Sequence, residues 1–333
     1  LPLGITTVLA SLVAGLAVAS LQTATPKAAE LSALRTGIPH EALFSAAIQG
    51  NDGLAVGAGG SILSSADGGL TWTAEKAPTE LSLLGVGMGG RHRVAVGQMG
   101  VILVKEDAGW VSVDSGTQER LMAVDVHASG LVVVAGSFGA LLRSTDGGRS
   151  WSSAAPDWAA LFEPMGEEFG IGFQPHLYSV KITPEGHILV AGELEHILRS
   201  EDGGQSWRVV HQGRNIDGRA DPSFFDLALR DDGTAFVVGQ SGSAMKSSDG
   251  GRSWQRVQTG TSVNLLGVEL TAAGRPVVVG MREMLLGNAS ADAWDKLEGL
   301  DIATAWYCAV VRSEATASSI IVGHSGRILR LPD

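Results

Sequence analysis

Tyr178 and Tyr307 are the only two tyrosines in the chain. A tyrosine can serve as nucleophile in glycoside hydrolysis when a glutamate takes its proton. Such a site also needs a separate acidic Asp and three Arg converging on a substrate carboxylate. Neither tyrosine has an acidic neighbour in sequence. Paired carboxylates on facing loops are the other route to the same reaction, and Glu167, Glu168, Asp217 and Asp221 are available for it. Nothing in their spacing selects them over a solvated loop. His196 and His324 stand shortly before apolar runs, where a lone histidine reads as a turn residue. Cys308 is the single cysteine, which rules out an internal disulfide and any Cys-rich metal centre. The expectation is therefore a non-catalytic chain without metal or cofactor.

Four further carboxylates sit in a recurring octapeptide: SADGGLTW (Ser65–Trp72), STDGGRSW (Ser144–Trp151), SEDGGQSW (Ser200–Trp207) and SSDGGRSW (Ser247–Trp254). Turn chemistry accounts for this pattern. Asp67, Asp146, Asp202 and Asp249 can accept hydrogen bonds from amides of their own turn. The glycines supply backbone angles closed to other residues. Trp72, Trp151, Trp207 and Trp254 cover apolar surface between strands. The pattern resembles the Asp-box of sialidases and many secreted propellers, a hairpin signature that carries no chemistry of its own.

The elements around the octapeptides repeat as well. A small-apolar-Gly element ends at Gly57, Gly97, Gly136, Gly192, Gly239, Gly280 and Gly323, giving intervals of 40, 39, 56, 47, 41 and 43 residues. Within a unit, LMAVDVH, LVVVAG and ALLRS read as three strands, and the DGG turn leads to a fourth at the Trp. Four short strands per period of about 40 residues is a propeller signature. The expected fold is all-β, a seven-bladed ring of four-stranded blades. The last unit stops at GRILRLP with no fourth strand, so a strand near Leu31–Gly37 should complete it and remove an open edge.

Composition agrees: 45 Gly in 333 residues, 44% hydrophobic and 18% charged, with 24 basic against 35 acidic residues for a net charge of −11. That balance argues against nucleic-acid binding, which needs a basic face. Residues 1–21 carry no charge and, as a helix rising about 1.5 Å per residue, are long enough for a hydrocarbon core of roughly 30 Å. They suit a cleaved secretory signal or a retained anchor, so residues 1–30 are set apart from a propeller over 31–333. The ring should be exported, to periplasm or thylakoid lumen, with any membrane contact made through residues 1–21.

The runs ALFSAAIQGNDGLAVGAGGSILSSADGGLTW and LMAVDVHASGLVVVAGSFGALLRSTDGGRSW resemble the repeat unit of the photosystem II stability and assembly factor family. The resemblance implies an exported seven-bladed propeller that binds a subunit of a membrane complex as an assembly factor. An accessory periplasmic subunit of an envelope export pump, and behind it a sialidase-like glycoside hydrolase, stay open as alternatives. Two features are candidates for meeting the partner of a monomeric ring. Arg143, Arg199, Lys246 and Arg330 occupy one repeat position, after the apolar pair of strand three, and should form an arc over four blades. The two long intervals mark insertions, Pro156 to Pro175 with Trp158, Phe162, Phe169 and Phe173, and His211 to Pro222 with Arg214 and Arg219. Both join strand four of one blade to strand one of the next, so they share a face. Aromatics and Arg are common interface anchors.

Overall fold

A computed structural model describes residues 30–162, 172–216 and 219–333. Alternating apolar residues and Gly-bearing turns give seven four-stranded antiparallel sheets. The first strands are Leu43–Gln49, Leu83–Gly89, Leu121–Val126, Leu177–Ile182, Phe224–Leu229, Leu265–Leu270 and Tyr307–Ser313. Each packs against the first strand of the blade before and after it, and the last packs against the first. The ring is closed, with these strands lining a central channel. Second strands such as Val132–Gly136 and Ala235–Gly239 are buried throughout, because both faces of each sheet are covered by neighbouring blades.

Ser32–Arg35 pairs antiparallel with Ile328–Pro332 and supplies the missing strand of the seventh blade. Arg35 fastens it, donating to the Gly326 carbonyl and, at 2.8 Å, to Glu41. The expected leader or anchor at residues 1–21 lies outside the described residues. Among the described residues no helix is long and apolar enough to cross a membrane.

The four octapeptides share one hydrogen-bond pattern. In the third blade Asp146 Oδ1 accepts from Ser144 Oγ at 2.7 Å and from the Arg149 and Ser150 amides at 2.9 Å, while Oδ2 accepts from Ser150 Oγ at 2.6 Å. Burial opposes ionisation of Asp146, but these donors outweigh it and hold the carboxyl at about 2. Donation from Thr71, helped by Ser65 and the Leu70 amide, lowers Asp67 to about 2 as well. The sixth blade reaches a related turn with Asn288, whose Oδ1 accepts from the Asp292 amide at 3.1 Å.

Each first strand has one edge free toward the channel, and the preceding blade caps several of its amides. Ser45 Oγ accepts from Val86 N, Asp125 from Ile182 N, Ser179 Oγ from Leu227 N and Asp226 from Val268 N, at 2.7–3.2 Å. An exposed strand edge is a liability, and here side chains satisfy it in place of another strand.

Candidate functional site: the insertion-bearing face and the channel mouth

The connections between strands two and three, and those between strand four and the next strand one, emerge on one face, here called upper. The octapeptide turns emerge on the lower face. Both insertions are therefore upper-face features, as their sequence position requires.

Register breaks at the same place in all seven inner strands: the second residue of each is skipped in pairing with strand two. The skipped residues are Phe44, Leu84, Met122, Tyr178, Phe225, Leu266 and Cys308, all half-buried. A bulge re-aims its side chain, and here it does so at the upper end of the channel wall. Neighbours meet: Tyr178 and Phe225 pack edge to face at 5.4 Å, and Phe44 stacks on Trp306 at 6.1 Å. Beside this ring a groove of about 690 Å³ is lined by Met99, Arg120, Met122, Phe138, His176 and Tyr178 among others. Sequence reasoning missed the bulges. Their signal was present as two adjacent apolar residues opening each first strand, which breaks a period of two.

The first insertion folds back onto the ring. Its short helix, Trp158–Phe162, buries both end residues, at 7% and 5% exposure. Trp158 lies over Gly139, where a Cβ would collide with the indole. In the first, second and fifth blades the equivalent Gly60, Gly100 and Gly242 are covered instead by the carbonyls of Thr79, Thr117 and Thr261. Phe162 packs edge to face on Phe173 at 5.5 Å and on His196 at 4.7 Å. Trp158 and Phe162 thus fix the insertion to the third and fourth blades and are not available as exposed anchors. Phe169, Glu167, Glu168 and Asp217 lie outside the described residues. The second insertion carries a hairpin, Asn215–Ile216 with Arg219–Ala220. Arg214 is exposed at its base, its amide donating to Asp221 at 2.7 Å; the Arg219 side chain lies outside the described residues.

The four repeat-position cations point to the other face. Arg143 Nε donates to the Gly203 carbonyl, Arg199 Nη1 to Gly250 at 2.6 Å and Lys246 Nζ to Ala289 at 2.8 Å. Each acceptor belongs to the strand-three-to-four turn of the following blade. Arg199 is 1% exposed, and its other nitrogens meet Glu201 and His187, both at 3.2 Å. Arg330 stays within its own blade, on Ser318 Oγ and the Thr316 carbonyl. The arc is present as a set of clamps, with its donors turned into the ring.

Two charged clusters are buried between blades. Glu195, 1% exposed, receives Arg256 and Ser243 Oγ. Burial opposes its ionisation, but His211, Arg256 and Ser243 outweigh this and hold it at about 2. Lys181 lies among Asp226, Asp125 and Glu269, whose charge outweighs burial and raises its pKa. No group of His, Cys, Asp and Glu among the described residues is arranged to hold a metal ion. Tyr178 and Tyr307 stand at the mouth and in the core respectively; Tyr307 donates to Asp301 at 3.1 Å, and burial pushes it up to about 12.

Comparison with known proteins agrees with this architecture. YCF48 from Cyanidioschyzon merolae superposes with a TM-score of 0.71 at 15% identity, over 92% of this chain and 99% of that one. YCF48 bound to D1 peptide gives 0.69 at 14%, over 91% and 97%. The GH74 xyloglucanase from Xanthomonas campestris gives 0.65 at 14%, over 90% of this chain and 53% of that one. These likenesses are of fold. No curated protein matches the chain. Residues 34–168 match the family described as photosynthesis system II assembly factor YCF48. That match spans the closing strand and the first three blades, and over them the chain resembles the photosystem II assembly factor propellers.

Proposed function

We propose that the protein is a non-catalytic binding ring that holds a subunit of a membrane complex during assembly, through its upper face. The match of residues 34–168 to an assembly-factor family carries this reading. A solved ring of similar fold is YCF48 bound to D1 peptide, so a polypeptide segment is the natural class of ligand. The octapeptide carboxylates are taken up by hydrogen bonds within their own turns. Work in an exported compartment fits the uncharged stretch at residues 1–21.

A photoreactive amino acid at Met99, 59% exposed on the upper face, tests this against one at Leu70, 38% exposed on the lower face. Irradiation in isolated membranes should cross-link one complex subunit from position 99 and none from position 70. Equal labelling from both positions, or none from either, overturns the reading.

A further inference from the structure

We propose that the upper mouth of the channel is a peptide site for an apolar, aromatic-centred segment flanked by acidic residues. This rests on the binding-ring reading above and names the place and the ligand.

A bulge gives up ladder pairing, and this ring does so seven times at one height. The result is a collar of partly buried, mostly apolar side chains around the mouth, without a covering element among the described residues. The turn tips outside it add apolar surface: Phe138 is 60% exposed, Met99 59% and Met281 44%. Phe138 and Met99 hold φ of 50° and 55°, a region that side-chain-bearing residues seldom adopt. Large apolar side chains at strained, exposed tips are poor choices for a surface that meets only water. Met, aromatic residues and Arg are the types enriched in protein interfaces.

Charge selects the flanks. Arg120 in the third blade and Arg282 in the sixth stand at nearly opposite sides of the mouth, both exposed. Neither side chain makes a hydrogen bond or ion pair among the described residues, in contrast to the clamped Arg143 and Arg199. Glu193 accepts from the His176 amide at 3.1 Å and keeps its charge beside Tyr178, on the fourth-blade side. Glu119 shares the groove with Arg120, so the stronger preference for a carboxylate belongs to the Arg282 side. In a chain of net charge −11, two uncommitted cations beside an apolar collar fit an acidic segment and repel a basic one.

The groove of about 690 Å³ is in the range of pockets that enclose a sizeable ligand group, which here is the central aromatic side chain.

The probe is a fluorescein-labelled peptide, Glu-Glu-Ala-Trp-Ala-Glu-Glu, titrated with the full chain and read by anisotropy. Versions with Lys flanks or a central Ala serve as controls. Saturable binding is expected for the first peptide, at least tenfold weaker for each control. Arg282→Glu should weaken it about tenfold, an effect that fades with added salt. Phe138→Ser, at an exposed tip where folding is not at stake, should weaken it several-fold; Met122→Ser, checked by its melting curve, should do more. Equal affinity for Glu- and Lys-flanked peptides, or wild-type affinity in both Phe138→Ser and Arg282→Glu, overturns the site. If position 99 still cross-links a membrane subunit while the peptide series fails, this inference falls and the binding-ring reading stands. If the peptide binds as expected and no subunit is cross-linked, the mouth stands and the membrane-complex reading falls.

Discussion

Replacing Arg199 is the sharpest test of how the blades are held together. Its guanidinium is 1% exposed and bridges the fourth and fifth blades through the Gly250 carbonyl at 2.6 Å, with Glu201 and His187 on its remaining nitrogens. A hydrogen bond to a charged donor contributes about 1.5–3 kcal/mol. Removing the side chain also leaves a cavity in a tightly packed interface. Arg199→Ala should therefore cost about 3–5 kcal/mol. Arg199→Met fills much of the space and removes the cost of burying a charge, so about 1–2 kcal/mol is expected. Arg143→Ala, half-buried and donating to the Gly203 carbonyl, should fall near 1–2 kcal/mol on the same scale. Lys246→Ala, the most solvated of the three contacts, should cost about 1 kcal/mol or less. Urea unfolding at neutral pH gives each value from the midpoint and slope. The reasoning is refuted if Arg199→Ala loses less than about 1 kcal/mol, or no more than Lys246→Ala, since burial and hydrogen bonding would then not set the order.

Removing residues 1–36 takes away the closing strand and the Arg35 contacts with Gly326 and Glu41, and the melting temperature should fall sharply; an unchanged melting curve would contradict closure. Trp158→Ala should cost about 3–5 kcal/mol, because the indole is 7% exposed and packed over Gly139, with loss of stability preceding any loss of binding. Asp67 and Asp146 are held at about 2, below the ordinary 3.8. Their contribution is complete above the unfolded value and is lost as pH falls from about 4 toward 2. The double Asp67→Ala/Asp146→Ala variant should therefore show a shallower decline of stability over that window, about 1 kcal/mol per site after allowance for solvent exposure, measured by unfolding at stepped pH.

The ring was legible because each blade solves the same local problem with the same residues. Gly57 and its six counterparts end the second strands, and Ser144, Asp146 and Trp151 close a turn within eight residues, so spacing alone reveals blade number and order. Closure by residues near Leu31 followed from the absent fourth strand after Ile328. What spacing could not convey was contact between blades. Arg143 meets Gly203 across 60 residues, and nothing in its own repeat says whether a long cation at that position faces a partner or the next turn. The first insertion shows the same boundary. Trp158 and Phe162 could be placed on the correct face, but their burial depends on Gly139 and His196, which belong to two different blades. The collar of bulges lay between these cases, encoded locally in pairs such as Leu121-Met122 and Leu177-Tyr178 and visible once pairing register is known.

The closing strand has a consequence for the order in which the protein can form. Ser32–Arg35 is made before every other strand of the ring, yet the strand it pairs with is the last of the seventh blade, and Arg35 and Gly326 are 291 residues apart in sequence. Six blades can form from contacts local to their own repeats as the chain emerges, whereas the seventh must wait until Ile328–Pro332 has been made. Pairing at such separation closes a very long loop, and non-local contacts of this kind slow folding. Until it happens, Ile328–Pro332 presents a free edge of the type through which incomplete β proteins associate wrongly. The ring is thus most vulnerable in the interval between the making of Ile328–Pro332 and its pairing with Ser32–Arg35.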